Sequence, residues 1–195
     1  MLAAGAGRRM GQPKGLLSGP HGPLVRGAVS ALLDGGCSPV GAVIGAAADQ
    51  VSTLLPEEVH ELHNPAWRQG MSTSVRQALE WSERVGADGV VILPVDTPGL
   101  GAAVVRRVRE HGSGGAGVRV VQATFEGRPR NPVLIGASYF EEVSAATVGD
   151  SGARVWLEAN RDLVEGVECS DIGDPNDLDT PDQLERWRRN ASQAY

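Results

Sequence analysis

Short apolar runs alternate with helical patterns along most of the chain, and this alternation constrains the fold more than any other feature. Short segments rich in β-branched residues predict strands at Met1–Ala4, Val40–Ile44, Gly89–Leu93, Val118–Ala123 and Pro132–Ile135. Amphipathic spacing predicts helices at Leu24–Leu33, Ser74–Arg84, Leu100–Glu110, Tyr139–Val143, Ala153–Ala159 and about Pro181–Ala191. We interpret Ala46–Val51 and Gly112–Gly117 as surface connections. This order of elements predicts an α/β fold, in which helices cover both faces of a mostly parallel sheet.

The size and composition of the chain exclude several classes of protein. Its 195 residues are enough for one domain with a substantial core, so we predict a single domain over residues 1–195. The net charge of -6 and the lack of a basic tail argue against nucleic acid as the main partner. No run of about 18 apolar residues predicts a membrane span, and we see no signal peptide. The two cysteines, Cys37 and Cys169, are far apart, which favours reduced thiols in the cytoplasm.

The first predicted strand is unusually short. Only four residues precede Gly5, whereas a typical strand has about five to six. We therefore expect either a natural chain that starts further upstream or a first strand that is clipped.

Lys14 is the only lysine of the chain, and all the other basic residues are arginines. A lysine ammonium is a compact charge on a flexible stem, so it fits between phosphate oxygens where a planar guanidinium does not. A GC-rich genome that depletes lysine would explain the composition equally well. We expect Lys14 to be exposed in a loop.

This lysine ends a glycine-rich segment that follows the first predicted strand. Because Gly5 and Gly7 lack a Cβ, the backbone N–H groups around them can approach a phosphate closely. Arg9 and Lys14 could then neutralise a triphosphate. The segment is not a Walker A loop, because no Gly-Lys-Ser/Thr opens a helix, and Met10 breaks the dinucleotide pattern Gly-x-Gly-x-x-Gly. Phosphate binding is thus predicted, but neither of those two motifs is present.

Carboxylates form a second group of candidate functional residues. Asp96 lies between a predicted strand and a predicted helix. Its neighbours Thr97 and Pro98 are ordinary residues of a helix start, which leaves the carboxylate at the sheet edge unexplained. Thr180 and Gln183 predict a capping box at the start of the last helix. Capping does not require the further acids that precede this helix, at Asp171, Asp174, Asp177 and Asp179. Clustered carboxylates repel one another unless a cation or an arginine lies near, so these acids are candidates for metal ligands or partners of an arginine.

These segments together resemble one protein family. Leu2-Ala3-Ala4-Gly5-Ala6-Gly7-Arg8-Arg9-Met10-Gly11-Gln12-Pro13-Lys14 closely resembles the N-terminal signature of the nucleotidyltransferases of the molybdopterin cofactor family. Five further matches follow in order, at residues 64–74, 93–98, 127–134, 149–154 and 177–182. The resemblance implies a Rossmann-like three-layer α/β/α nucleotidyltransferase fold. It also implies transfer of a nucleotidyl group from a nucleoside triphosphate to a phosphate monoester, with release of pyrophosphate.

The resemblance assigns roles to individual residues. It implies that Lys14, Arg9 and Asp96 are catalytic. It implies that Asp96 and Asp179 hold Mg²⁺, for which Mn²⁺ can substitute, with Asp177 as the alternative second ligand. The residues implied to bind the nucleotide are Leu2, Ala3, Ala4, Gly5, Ala6, Gly7, Lys14, Gly70, Met71, Ser72 and Ser74. The residues implied to bind the acceptor are Asn131, Pro132, Asp150 and Arg154. Trp67 is either a base-stacking residue or a core aromatic.

Two features bear on the substrates. Leu2-Ala3-Ala4-Gly5 and the segment Gly149–Arg154 resemble the cytidylyl branch of the family, which implies CTP and a molybdopterin-type phosphate, with GTP as the alternative. A molybdoenzyme that receives the cofactor would be a further partner. However, Arg130-Asn131-Pro132 stands where the family usually has Gly-His-Pro, and asparagine cannot carry the charge of histidine.

This departure leaves other acceptors open, such as a sugar phosphate, a phosphorylated polyol or phospholactate. A non-catalytic carrier of the pterin is an alternative of a different class. The presence of Lys14, Asp96 and Asp179 argues against a carrier, which needs no metal pair.

Overall fold

A central sheet organises the computed structural model, which describes residues 1–114 and 117–193. Seven of the described strands build this sheet in the order β5-β4-β1-β6-β8-β7-β9. Two shorter strands, β2 and β3, form a separate antiparallel ribbon. In chain order the strands are β1 Leu2–Ala3, β2 Ser18–Gly19, β3 Gly22–Pro23, β4 Gly41–Ile44, β5 His60–His63, β6 Gly89–Ile92, β7 Val120–Phe125, β8 Arg128–Gly136 and β9 Val164–Glu168.

The two-residue strand β1 joins the two halves of the sheet. Its Leu2 N–H donates to the carbonyl of Leu93 at 2.9 Å, and the Val95 N–H donates to the carbonyl of Leu2 at 3.0 Å. On its other side β1 pairs with β4 in parallel. Only β8 runs antiparallel to its neighbours among these strands, so the prediction of a mostly parallel sheet is confirmed. Because β8 is reversed, it begins at the edge where the other strands end.

Helices cover both faces of the sheet, which confirms the three-layer α/β/α arrangement. Helices α1, α2, α4 and α7 pack on one face, and α3, α5 and α6 pack on the other. Their bounds are α1 Leu24–Asp34, α2 Ala48–Ser52, α3 Met71–Arg84, α4 Ala102–Gly112, α5 Phe140–Ala146, α6 Arg154–Ala159 and α7 Pro181–Gln193. Among these described helices, none combines the length and apolar character needed to cross a bilayer.

The strands supply both cores because their side chains alternate between faces. In β1, Leu2 contributes to the core under α3, whereas Ala3 contributes to the core under α1 and α4. In β4, Val43 contributes to the core under α3 and Ile44 contributes to the core under α1 and α4. The apolar runs of the sequence are therefore strands that are buried on both sides.

The structure corrects the prediction for one connection. Ala46–Val51 was interpreted as a surface loop, but Ala48–Ser52 is a short helix whose Val51 is fully buried. The two edge strands, β5 and β9, have no counterpart among the predicted strands, because they carry several charged and polar residues. The predicted connection Gly112–Gly117 lies partly outside the described residues.

A carboxylate fixes the turn that leads into β8. The hairpin between β7 and β8 turns at Glu126 and Gly127, both with positive φ. Glu168 at the end of β9 accepts hydrogen bonds from Thr124 Oγ1 at 2.9 Å, from the Gly127 N–H at 3.1 Å, and from Ser170. The hydrogen bonds from Ser170 and Gly127 lower the pKa of Glu168 to about 2. The start of β8 is thereby held in place beside the carboxyl ends of the neighbouring strands.

Candidate functional site

A cavity of about 380 Å³ opens at the carboxyl edge of the sheet, directly above β1. Nearly all of the residues predicted to bind a nucleotide line it, namely Leu2, Ala3, Ala4, Gly5, Ala6, Gly7, Lys14, Gly70, Met71 and Ser74. Ser72 differs, because it is buried in α3 and is not part of the cavity wall. The two predicted segments, the glycine-rich turn and the start of α3, therefore face one another across this space.

The glycine-rich turn has its shape because of Gly7. This residue has φ of 59°, and its carbonyl accepts a hydrogen bond from the Met10 N–H at 2.8 Å. A Cβ on Gly7 would lie 2.0 Å from the carbonyl oxygen of Gln12, so no larger residue fits without a shift of the backbone. A Cβ on Gly5 would meet nothing within 4 Å, which leaves open space beside the turn.

Asn64 holds the opposite wall of the cavity. Its side-chain amide donates to Thr73 Oγ1 at 2.8 Å and to Ser74 Oγ at 3.0 Å, and its carbonyl oxygen accepts from the Ala66 N–H at 3.0 Å. These bonds tie the loop 64–70 to the first turn of α3. They place Trp67 on the cavity wall, where the guanidinium of Arg68 lies 4.5 Å from the centre of its ring. The residue types in this loop did not indicate Arg68 as part of the site.

Lys14 lies between two aspartates rather than in solvent. Its Nζ donates to Asp96 Oδ2 at 2.7 Å and to Asp179 Oδ1 at 2.5 Å. The expectation of an exposed loop lysine is wrong, because only 19% of the side chain is exposed and Lys14 begins a short 3₁₀ helix, Lys14–Leu16. The Leu178 N–H donates to the Asp96 carbonyl at 2.8 Å, which fixes the C-terminal acidic segment beside Asp96.

The charges in this cluster stabilise one another. Burial by itself would lower the pKa of Lys14, but the charges and hydrogen bonds of Asp96 and Asp179 outweigh burial and raise it. The hydrogen bond from Lys14 is the main reason that the pKa of Asp179 is lowered. Arg9 Nη2 also donates to Asp179, at 2.8 Å, although most of the Arg9 side chain is exposed. The ammonium therefore stays protonated and Asp179 stays ionised at neutral pH.

Three carboxylates converge at this point of the structure. Asp96, Asp177 and Asp179 each offer an oxygen atom within 4.8 Å of the others. Hard carboxylate oxygens are the ligands that Mg²⁺ and Mn²⁺ prefer, and Mg²⁺ typically takes one or two carboxylates and completes its shell with waters and phosphates. The residues present thus fit a divalent cation. The structure brings together both predicted ligands, Asp96 and Asp179, and adds the alternative, Asp177.

The capping box predicted after this acidic segment is present. The Thr180 N–H donates to Gln183 Oε1 at 2.8 Å, and the Gln183 N–H donates to Thr180 Oγ1 at 3.4 Å. Gln183 Oε1 also accepts from the Asp179 N–H at 2.8 Å. The start of α7 therefore orients Asp179 toward the cluster, in addition to capping the helix.

A second cavity of about 440 Å³ adjoins the first. The two cavities share Leu2, Met71, Pro94, Asp96 and Asp150 as common wall residues. Three of the four residues predicted to bind the acceptor line the second cavity, namely Asn131, Asp150 and Arg154. Pro132 is buried in β8 and is not part of its wall.

Two residues of the second cavity have features that the motifs did not indicate. Asp150 Oδ1 accepts from the Met71 N–H at 3.3 Å, so this carboxylate also caps the start of α3. Arg130 lines the cavity and is exposed at the beginning of β8. Because β8 is antiparallel, Arg130 and Asn131 lie near the start of their strand and yet at the edge where the parallel strands end.

A glycine-rich turn after the first strand and a cluster of carboxylates at the carboxyl edge of an α/β sheet are typical of nucleotide-binding α/β proteins. Residues 1–164 match the family model of the MobA-like NTP transferase domain. The chain belongs to this family, and it is a nucleotidyltransferase. The predicted family and enzyme class are thus confirmed.

Individual proteins resemble the chain over nearly all of its length. The chain is 33% identical to nicotine blue oxidoreductase of Paenarthrobacter nicotinovorans, over 95% of this chain and 93% of that protein. Its fold is similar to the crystal structure of a Mycobacterium sp. strain JC1 protein, with a TM-score of 0.85, 24% identity, and coverage of 100% of this chain and 96% of the other. It is also similar to a Mycobacterium tuberculosis H37Rv protein solved in complex with manganese, with a TM-score of 0.74, 23% identity, and coverage of 96% and 95%.

Proposed function

We propose that this nucleotidyltransferase transfers the cytidylyl group of CTP to a molybdopterin-type phosphate monoester in a reaction that depends on Mg²⁺. The observation that carries the proposal is the Lys14–Asp96–Asp179 cluster, whose Asp96 lines both of the two adjoining cavities. One cavity has the glycine-rich wall that suits a triphosphate. The other has polar and cationic groups that suit a phosphorylated acceptor.

The chemistry requires charge neutralisation more than proton transfer. An oxygen of the acceptor phosphate attacks the α-phosphorus of the nucleotide, the bond from that phosphorus to the bridging oxygen breaks, and pyrophosphate leaves with the electron pair. The attacking phosphate is already an anion, so no strong general base is needed. Backbone N–H groups of Gly5 to Gly7 would bind the triphosphate, while Lys14 and Arg9 would stabilise negative charge on it.

Asp96, Asp177 and Asp179 are the residues that would hold the divalent cation. The metal would neutralise charge on the nucleotide phosphates. The manganese complex of the mycobacterial structure supports a divalent metal, and the carboxylate donor set of this chain supports it independently.

Nucleotide choice is tested by calorimetric binding of CTP, GTP, ATP and UTP with Mg²⁺, on the wild type and on Asp96→Asn. We expect selective CTP binding that weakens in the variant. The sequence Leu2-Ala3-Ala4-Gly5 supports CTP through its resemblance to the cytidylyl branch. A preference for GTP would contradict the proposed cytidylyl transfer and would favour transfer of a guanylyl group instead.

Pyrophosphate release distinguishes an enzyme from a carrier. With Mg²⁺, CTP and molybdopterin, the proposed enzyme releases one pyrophosphate for each dinucleotide formed, and a molybdoenzyme would then receive the product. A carrier binds the pterin without releasing pyrophosphate. Binding of CTP without turnover on molybdopterin would direct the search to another phosphorylated acceptor, which the Arg130-Asn131 pair in the second cavity allows.

A second candidate function follows from one comparison. Identity of 33% over 95% of the chain to a protein named nicotine blue oxidoreductase favours an assay for oxidoreductase activity as well. Nicotine blue would be supplied together with a hydride donor such as NADH, and loss of the dye absorbance would be followed. Bleaching that requires the protein, together with no pyrophosphate release from any nucleoside triphosphate, would replace the cytidylyltransferase proposal.

A further inference from the structure

The Lys14 ammonium lies in the middle of the acidic cluster. It makes hydrogen bonds of 2.7 Å and 2.5 Å to Asp96 and Asp179, two of the three residues whose oxygens converge. A divalent cation would be held by carboxylate oxygens of the same residues, more closely than a hydrogen-bonded ammonium. An ammonium and a metal ion cannot both be held closely by these two carboxylates, because the two cations would also repel each other strongly at such short range.

The other charged residues of the cluster stabilise the ammonium at this position. Asp96, Asp177 and Asp179 bring three negative charges, and Arg9 supplies a second positive charge at 2.8 Å from Asp179. Most of the Arg9 side chain is exposed to solvent, whereas Lys14 is largely shielded from it. Lys14 is therefore the principal cation that balances the carboxylates when the nucleotide is absent.

Lys14 also lies beside the space in which the triphosphate is proposed to bind. It lines the wall of the 380 Å³ cavity together with the glycine-rich turn. A lysine carries its charge on a flexible four-carbon stem, so its ammonium can move from carboxylate to phosphate oxygens without a change of the backbone.

We infer that Lys14 occupies the metal position of the nucleotide-free protein and that metal enters when the triphosphate draws the ammonium away. This inference rests on the proposed function, because it needs a nucleoside triphosphate and a divalent cation at this site. Lys14 is then a positioning residue for the metal as well as a group that binds phosphate. Metal and nucleotide should consequently raise each other's affinity, since each one favours the same position of the lysine.

The single lysine of the chain makes a direct test practical. Protein labelled with ¹⁵N-lysine gives one side-chain Nζ resonance, which must belong to Lys14. We expect this resonance to be protected from exchange with water in the metal-free protein. Mg²⁺ at concentrations that saturate the site should move it toward the position of a free lysine, and CTP without metal should also move it. A resonance that stays unchanged at saturating Mg²⁺ overturns the inference.

Variants then measure the competition by the affinity for Mn²⁺ alone, followed through the electron paramagnetic resonance of the free ion. Lys14→Met removes the ammonium and keeps the length of the side chain, and we expect its Mn²⁺ dissociation constant to fall at least about tenfold. Arg9→Met is the matched control, since it also removes a positive charge next to Asp179 but leaves Lys14 in place. Equal effects of the two variants would mean general electrostatic attraction and would overturn the inference.

Failure of the inference is distinguishable from failure of the proposed function. Pyrophosphate release by the wild type with Mg²⁺, CTP and acceptor tests the function without reference to the order of binding. If Lys14→Met does not fold, the Nζ resonance of the wild type decides the matter. If Mn²⁺ binds neither to the wild type nor to folded Lys14→Met, both the competition and the metal site are refuted.

Discussion

At the scale of single residues, Gly7 and Gly5 provide a matched pair for testing the glycine-rich turn. Gly7→Ala places a Cβ 2.0 Å from the Gln12 carbonyl at a φ of 59°. The left-handed conformation alone costs a non-glycine residue about 1–2 kcal/mol, so we expect at least that loss in the free energy of unfolding. Gly5→Ala meets open space and should change it by less than about 0.5 kcal/mol. Equal losses in urea unfolding would mean that the turn is not shaped by Gly7.

Arg130 is the residue at which acceptor binding is best tested. Its charge faces the second cavity, so we expect Arg130→Gln to raise the KM for the phosphorylated acceptor at least about tenfold, in line with a lost hydrogen bond to a charged group. The dissociation constant for CTP should change less than about twofold, as expected for a residue outside the nucleotide cavity. Arg128→Gln is the control, because Arg128 is exposed on the same strand but does not line the cavity. An unchanged KM would show that Arg130 does not contribute to binding of the acceptor.

Residue patterns predicted the chemistry of the site better than its contacts. Lys14, Asp96 and Asp179 were identified because their residue types and positions suit phosphate and metal binding, and the structure brings them together. That Lys14 pairs with carboxylates could not be predicted, because it depends on contacts between residues more than 80 positions apart. The same reason explains why Asp177 could not be separated from Asp179 by sequence alone.

At the scale of elements, Glu168 connects β9 to the turn between β7 and β8. Its pKa of about 2 lies below the ordinary value of 4.5 because the folded state stabilises the ionised form. The stabilising contribution is therefore complete above about pH 4.5 and is lost as the pH falls through about 2. We expect Glu168→Gln to be less stable than the wild type at pH 7, with a difference that shrinks as acid is added. Thermal unfolding followed between pH 7 and pH 2 checks this, and a difference that grows in acid would contradict it.

Strands buried on both faces could be predicted from the sequence more accurately than strands at the edge of the sheet. Strands buried on both faces, such as β4 and β6, have continuous apolar runs and were predicted within a residue or two. The edge strands β5 and β9 carry polar residues on their exposed side, so they have no such run. Helix α2 has only five residues, fewer than two turns, which is too short for helical periodicity to be visible.

At the scale of the whole molecule, the two cores share one sheet and should unfold together. Leu79 of α3 is 1% exposed in the core on one face, and truncation of a buried leucine to alanine costs about 2–5 kcal/mol. We therefore expect Leu79→Ala to lower the midpoint of a single unfolding transition. Circular dichroism would follow the helices on both faces, and tryptophan fluorescence would report on Trp81 and Trp156 in one core and Trp187 in the other.

Coincident transitions by both methods would support a single domain over the whole chain. Two separate midpoints, with only one displaced by Leu79→Ala, would show instead that the faces unfold independently.

The reversed direction of β8 has a consequence for how new activities arise on this scaffold. In the proposed reaction, turns that follow parallel strands would bind the nucleotide, whereas residues at the start of an antiparallel strand and in the α5–α6 region after it would bind the acceptor. Arg130, Asn131 and Arg154 line only the second cavity, so substitutions there would leave the wall of the first cavity unchanged, whereas Asp150 lines both cavities and caps the start of α3. A protein engineer could exchange these three residues for those of a relative and redirect the proposed enzyme to another acceptor, while Asp150 and the wall of the first cavity are kept.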